Sequence, residues 1–371
     1  MRSAAGQPTG SAPRPRIDQA LPAFSYGDAI GNHALALREC LRRGGAASDI
    51  FAMSVHPRVR AEARAWREYG AVDAPGNICF FHFSIGTPMA RVFARLRSRR
   101  VLVYHNITPA AFARGVSRRL ERECGIGREQ LRELAGCADL AIGDSEYNRR
   151  ELEQFGFPRT AVLPVIVDFT EHDRQPLAES VADRWRDGRT TVLHVGRLVP
   201  NKRIEDIVRS FDLYRRIDPG SRLLLVGTEA GLENYGESLR ALVARLGTPE
   251  VHFLGHVDFG ELCTLYRSAD LYLSMSEHEG FCVPLLEAMH YGVPVVAFAA
   301  GAMPETLGGA GLLVREKRFE EVAELMHLAV TDGLLRARLI AAGAERLRDF
   351  APARIERELW ALLARHGLWG A

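Results

Sequence analysis

The sequence predicts an α/β protein made of two Rossmann-like, doubly wound domains that face a central cleft. Three observations carry that expectation. From Thr190 onward, short apolar runs alternate with amphipathic segments of helical spacing, the pattern of a parallel sheet flanked by helices. The N-terminal half repeats the theme less regularly. The 371 residues also exceed what one ordinary core holds, which favours roughly two domains.

In chain order, residues 1–16 are small, basic and Pro-containing, without the apolar core of a signal peptide, and are expected to form a disordered leader. A first domain, 17–175, has strands expected at Asp49–Met53, Asn77–Phe83, Arg100–Tyr104 and Leu140–Gly143. The turn Gly27-Asp28-Ala29-Ile30-Gly31 opens a helix that runs to Arg42. A linker falls between Asp168 and Gly188. The second domain, 186–350, has strands at Thr191–Val195, Arg222–Val226, Val251–Leu254, Leu271–Ser274, Val293–Phe298 and Gly311–Val314. Ile204, Ile207, Val208 and Phe211 mark one helix between them, and Leu239, Leu242, Val243 and Leu246 another. Residues 351–371 follow, helical in pattern from Pro352 to Leu368.

Bulk properties exclude several classes. A net charge of +2, with no zinc-finger spacing or aromatic-basic platform, argues against nucleic acid as the main ligand. The six cysteines show no paired metal-ligand spacing and read as free thiols of a reducing compartment. No apolar run is long enough to span a bilayer, so a cytoplasmic protein is expected. Neither a dinucleotide glycine triplet nor a P-loop is present.

The chemistry concentrates in two segments. Glu279-Gly280-Phe281-Cys282-Val283-Pro284 leads from a buried strand into a helix that carries Glu287, eight positions after Glu279. Such a turn offers free N–H groups and the positive end of a helix dipole to an anion, and Glu287 can accept bonds from hydroxyls. The other segment is Val192-Leu193-His194-Val195-Gly196-Arg197-Leu198-Val199-Pro200-Asn201-Lys202. Its lysine stands out, because arginine supplies almost every positive charge and lysine occurs only at 202 and 317. A point charge on a flexible stem binds phosphate differently from a planar fork.

Together these segments closely resemble the donor-site signature of the family 4 retaining glycosyltransferases of the GT-B fold. The resemblance is specific over 190–314 and looser at Gly27–Gly31 and Tyr104–Pro109. It implies transfer of a hexose, mannose first, from a nucleotide-diphosphate sugar to an acceptor hydroxyl with retention, in polysaccharide or glycoconjugate biosynthesis. Domain 186–350 would bind the nucleotide sugar, 17–175 the acceptor, and the last helix would pack back on the N-terminal domain. Arg197, Lys202, Gly280, Phe281 and Gly27 would meet the donor diphosphate, Glu287 the ribose, and His105 and Glu279 the transferred sugar. Asp28, Gly31, His82 and Asn106 are candidates on the acceptor side.

No Asp-x-Asp motif occurs, so metal independence is expected, with fixed cations as the diphosphate anchor and no cofactor beyond the co-substrate. Two basic runs, Arg91–Arg100 around Val92, Phe93 and Leu96, and Arg114–Arg122, suit an anionic membrane surface as well as plain solvent. A peripheral inner-face location and a sugar, lipid-linked or small-molecule acceptor fit that reading. The alternatives are a tailoring transferase of a secondary metabolite, a GT-B epimerase or hydrolase, and a non-catalytic nucleotide-sugar-binding subunit. A PLP-dependent phosphorylase is the most distant, with Lys317 as the only spare lysine.

Overall fold

Long apolar runs with no polar alternation can only be satisfied in sheets covered on both faces, and a computed structural model shows two such sheets over residues 16–369. The first has seven strands: β1 (Ile17–Phe24), β2 (Ile50–Val55), β3 (Arg64–Ala65), β4 (Ile78–Phe83), β5 (Arg99–Tyr104), β6 (Leu140–Gly143) and β7 (Thr160–Val162), in the order β3-β2-β1-β4-β5-β6-β7. The second has six: β8 (Thr191–Val195), β9 (Arg222–Val226), β10 (Val251–Gly255), β11 (Leu271–Ser274), β12 (Val295–Phe298) and β13 (Leu312–Val314), in the order β10-β9-β8-β11-β12-β13. All pairings are parallel. The predicted fold class is therefore the observed one. In each sheet the order reverses at the first strand, β1 or β8, which opens a ligand crevice beyond the strand ends.

The central strands are wholly buried, as their composition requires. Every residue of β4 and β9 is inside, including Arg222, whose guanidinium is matched by Asp187, Thr191 Oγ1 and the Trp185 carbonyl. β1 lies at the centre of its sheet although the sequence reading placed no strand there. Its Asp18 and Gln19 are fully buried and disguise it as polar.

Three boundaries differ from expectation. Residues 1–15 of the expected leader lie outside the described residues, but Arg16 is anchored: it bridges to Ala47 and its side chain bonds to Asp18 and Asp49. The linker is not an open loop. Two short helices, Thr170–Arg174 and Glu179–Trp185, dock on the second domain, where Arg267 donates to the Gln175 and His172 carbonyls. The segment 170–175 therefore goes with the second sheet, not the first. The final helix ends at Arg365.

That final helix, Pro352–Arg365, crosses back to the first domain and lies on the helix Ala29–Arg43. Ile355, Leu359 and Leu363 join Leu37 and Leu41 in one core, and Arg43 pairs with Glu356 at 2.6 Å. Gly44 permits the contact, since a Cβ there would stand 1.9 Å from the Trp360 ring. The chain thus passes between domains twice. Both passages, at Pro164 and at Asp349-Phe350, border one cavity of about 210 Å³. No helix among the described residues is long and apolar enough to cross a membrane.

Candidate active site

The Gly-Arg turn and the Glu-Gly-Phe loop leave the carboxyl ends of neighbouring strands, β8 and β11, and Asn201 stitches them together. Its Nδ2 donates to the His278 carbonyl at 3.0 Å, while its own carbonyl accepts from Glu277 N at 2.9 Å and Ser276 Oγ at 3.1 Å. Lys202, largely buried, ion-pairs with Glu279 Oε1. Arg197 is exposed and makes no ion pair among the described residues. Gly227 and Gly196, at the ends of β9 and β8, pass in contact: a Cβ on Gly227, where φ is +143°, would lie 1.9 Å from the Gly196 carbonyl oxygen.

Residues 283–290 form the helix after the loop, and Glu287 sits about one turn in, nearer the loop than its sequence distance suggests. Tyr266 Oη donates to Glu287 Oε2 at 2.7 Å. Burial raises the Glu287 pKa and that bond opposes the shift. Glu279 is held through its backbone, with its carbonyl accepting from Ala302 N at 3.0 Å. Gly301, at φ +56°, leaves no room for a Cβ there.

Gly280 was expected to make space for a ligand. Instead it makes space for the other domain, since its Cβ would stand 2.6 Å from Asn106 Cβ and 2.7 Å from Asn148 Nδ2. Phe281 is likewise turned away from the cleft. Its ring packs edge-on against Phe350, and its carbonyl accepts from Thr306 Oγ1 at 2.6 Å. Any diphosphate contact in this loop falls to backbone N–H groups.

On the facing domain, Gly27 has φ +72° and Asp28 caps the helix Ala29–Arg43. Burial raises the Asp28 pKa against the lowering effects of the Gly31 N–H, His105 and Arg197. A Cβ on Gly27 would stand 3.7 Å from His256 Cε1 of the opposite domain. Gly31 is buried and tightly packed, since a Cβ there would lie 2.9 Å from the Ser25 carbonyl oxygen.

His105, His82 and Asn106 meet as expected at the ends of β5 and β4, but most of their polar atoms are spent inside the domain. His105 Nδ1 lies 3.1 Å from Asp144 Oδ2, and its Nε2 lies 2.8 Å from His82 Nδ1. His82 Nε2 lies 2.9 Å from Gln19 Oε1. Asn106, at φ +72°, donates to Asn148 Oδ1 at 2.7 Å. Both ring nitrogens of His82 are engaged inside the domain, whereas Asn106 engages only its Nδ2. Sequence reasoning missed Asp144, Asn148, Gln19 and Asn201. Ser145, between Asp144 and Asn148 in the stretch after β6, caps the helix Glu146–Gln154.

Lys317 is not a spare lysine, because its ammonium bonds Asp206 at 2.8 Å and Glu277 at 2.6 Å. In the basic run, Phe93 is fully buried, and of the apolar residues named there only Val92 is exposed. Across the domains, Glu305 accepts from the N–H groups of Glu146 at 2.7 Å and Tyr147 at 3.1 Å, at the start of the helix Glu146–Gln154.

Residues 178–346 match the family described as Glycosyl transferases group 1. The chain is 28% identical over 230 residues to a GDP-mannose-dependent monoacylated alpha-(1-6)-phosphatidylinositol monomannoside mannosyltransferase of Corynebacterium glutamicum, covering 58% of this chain and 59% of that protein. It is 29% identical over 286 residues to the Mycobacterium tuberculosis GDP-mannose-dependent alpha-(1-6)-phosphatidylinositol monomannoside mannosyltransferase, covering 67% and 72%. Against O-antigen chain mannosyltransferase B of Escherichia coli it is 27% identical, with 60% of each chain covered. The match therefore spans less than two thirds of the Corynebacterium and Escherichia proteins. Among solved structures, sucrose-phosphate synthase from Thermosynechococcus elongatus superposes with a TM-score of 0.72 at 18% identity, covering 95% of this chain and 99% of that one. Anabaena HepE in complex with UDP-glucose gives 0.69 at 19% identity, covering 94% and 99%. These likenesses extend over both domains and show the same two-domain fold.

Proposed function

Taking as premise that residues 178–346 form a group 1 glycosyltransferase domain, we propose that this protein transfers a hexose, mannose in the first place, from a nucleotide-diphosphate sugar to an acceptor hydroxyl with retention at the anomeric carbon. The observation that carries the proposal is the Lys202–Glu279 pair, held at the mouth of the β8 and β11 strands with exposed Arg197 close by in the chain. A lysine paired with a carboxylate can exchange it for a diphosphate. The freed carboxylate then faces the sugar that the diphosphate carries.

In this reading Arg197, Lys202 and the backbone N–H groups of the Glu-Gly-Phe loop offset the charge of the leaving diphosphate, as preorganised dipoles and cations do. Glu287, oriented by Tyr266, accepts bonds from the ribose hydroxyls. The leaving phosphate helps deprotonate the acceptor on the same face, without a metal ion. The mannosyltransferase relatives support mannose and GDP as first choices. The lipid-linked substrates in two of those names favour a lipid-linked acceptor and peripheral membrane contact.

The test is donor binding followed by transfer. GDP-mannose at a hundred times its dissociation constant should stabilise the protein by about 2.7 kcal/mol, and UDP-hexoses serve as the comparison. Transfer to an added acceptor, in the presence of a chelator, should give a product of retained configuration by proton NMR. If no nucleoside diphosphate shifts the melting curve, the proposal fails.

A further inference from the structure

The helix Glu146–Gln154 belongs to the first domain, yet its N-terminus is completed by the second. Helix geometry leaves the leading N–H groups without a partner inside the helix. That of Asn148 goes to the Ser145 side chain at 3.1 Å. Those of Glu146 and Tyr147 cross to the other domain, where the two carboxylate oxygens of Glu305 accept them at 2.7 Å and 3.1 Å. One planar group held by two parallel bonds fixes direction as well as distance, and its charge suits the positive end of the helix. Glu305 is exposed, so the contact adds little to stability. What it determines is register.

Both sides of this contact lead within a few residues to the candidate active site. On the first-domain side, Asp144 precedes the Ser145 cap and lies 3.1 Å from His105 Nδ1, while Asn148, in the first helical turn, accepts from Asn106 at 2.7 Å. On the other side, Glu305 stands in the short helix Met303–Leu307, which grips the Glu-Gly-Phe loop by two carbonyls. Ala302 N donates to the Glu279 carbonyl at 3.0 Å, and Thr306 Oγ1 to the Phe281 carbonyl at 2.6 Å. Arg346 braces the short helix by donating to the Glu305 carbonyl at 2.7 Å and the Thr306 carbonyl at 3.2 Å. The rings of Tyr147 and His278 meet edge-on beside the same loop, with centroids 6.1 Å apart. Gly280 and Asn106, the chain neighbours of Glu279 and His105, leave no space for a Cβ between them.

We propose that Glu305 is a positioning residue of the transferase: its carboxylate docks the N-terminus of the helix Glu146–Gln154 and so sets the register of the Glu279 loop against the strand end that carries His105. The docking stands on the geometry alone; its effect on turnover rests on the transferase reading.

A proline at position 146 tests this, because it deletes one docked N–H and little else. Glu146 is the first helical residue, where proline is tolerated, and Ser145 before it has the extended backbone, φ −149° and ψ 166°, that a following proline requires. Glu146→Ala is the control: it loses the same side chain, with its bonds from Arg149 and Arg150, and keeps the N–H. In the full-length protein at saturating donor, Glu146→Pro should turn over about threefold or more slower than Glu146→Ala, with nucleoside diphosphate affinities within about twofold of each other. In a Glu305→Ala background the two should turn over alike, since no carboxylate remains to miss the N–H. Equal rates in the parent background, an equal gap in both backgrounds, or a loss confined to nucleotide affinity overturns the positioning role. Amide hydrogen exchange needs neither the proline nor activity: the Tyr147 N–H should exchange about tenfold or more faster in Glu305→Ala than in the parent. An exchange rate indifferent to Glu305 overturns the docking itself. If the unmodified protein transfers no sugar, the transferase reading fails, and the exchange rates still decide the docking.

Discussion

At the scale of single residues, the pairing of Lys202 with Glu279 makes each side chain the other's competitor for ligand. Lys202→Met leaves a nearly buried carboxylate without its cation, and breaking a buried pair from one side costs about 3 kcal/mol. Glu279→Gln in the same chain should restore most of that stability, read as melting temperature, while nucleoside diphosphate affinity stays low. Glu279→Gln alone should instead bind nucleoside diphosphate at least as tightly as the parent, because Lys202 no longer has to leave a carboxylate, and still turn over slowly. Equal loss of affinity in both single variants would dismiss this exchange. That Lys202 and Glu279 come together was legible because each sits in a motif at the end of a readable strand. Asp144 was not, since its partner His105 is 39 positions away and the two meet only because β5 and β6 are adjacent. Among the described residues, three of the four non-glycine residues with positive φ, Asn106, Arg203 and Cys282, lie in or directly after a candidate segment. Strain of this kind clusters where the backbone is held for function, and no composition signal announces it.

At the scale of elements, the strands of the second sheet could be read almost to the residue, because buried parallel strands are continuous apolar runs bounded by glycine and charge. β1 could not, since Asp18, Gln19 and Pro22 break its pattern, and the partners of the two buried polar side chains are largely tertiary: the Asp49 N–H beside Arg16 for Asp18, His82 and Ala34 for Gln19. In the Glu-Gly-Phe loop, the contact that Gly280 makes with the first domain could not be read from sequence. Gly280 meets the opposite domain, so Gly280→Ala should push Asn106 and Asn148 away by a few tenths of an ångström or more. The expected result is turnover reduced about tenfold or more with nucleoside diphosphate binding within about twofold, since the proposed nucleotide site lies in one domain. Calorimetry and initial rates on the same preparation check this, and a parallel loss of both would return Gly280 to the ligand.

For the whole molecule, buried histidines set the acid limit. Burial pushes the pKa of His33 to about 3 and those of His172 and His194 to about 4. In the unfolded chain all three take up a proton near pH 6.5, and the folded protein refuses it, so stability is lost as pH falls from about 6.5 toward about 4. At pH 5 each costs on the order of 2 kcal/mol. Thermal melts should fall steeply over that window, before carboxylates protonate, and a flat profile would contradict the burial of these rings. The crossing of Pro352–Arg365 onto the helix Ala29–Arg43 has a different kind of consequence, for recombination. The N-terminal body is discontinuous in the gene: it is encoded by two stretches with the second domain inserted between them. A chimaera joined at one crossover near 168 would mate the Gly44 of one parent with the Trp360 position of the other, where the fit leaves no space for a Cβ. Exchanging donor specificity between relatives therefore takes two cuts, with the last helix travelling with the first half.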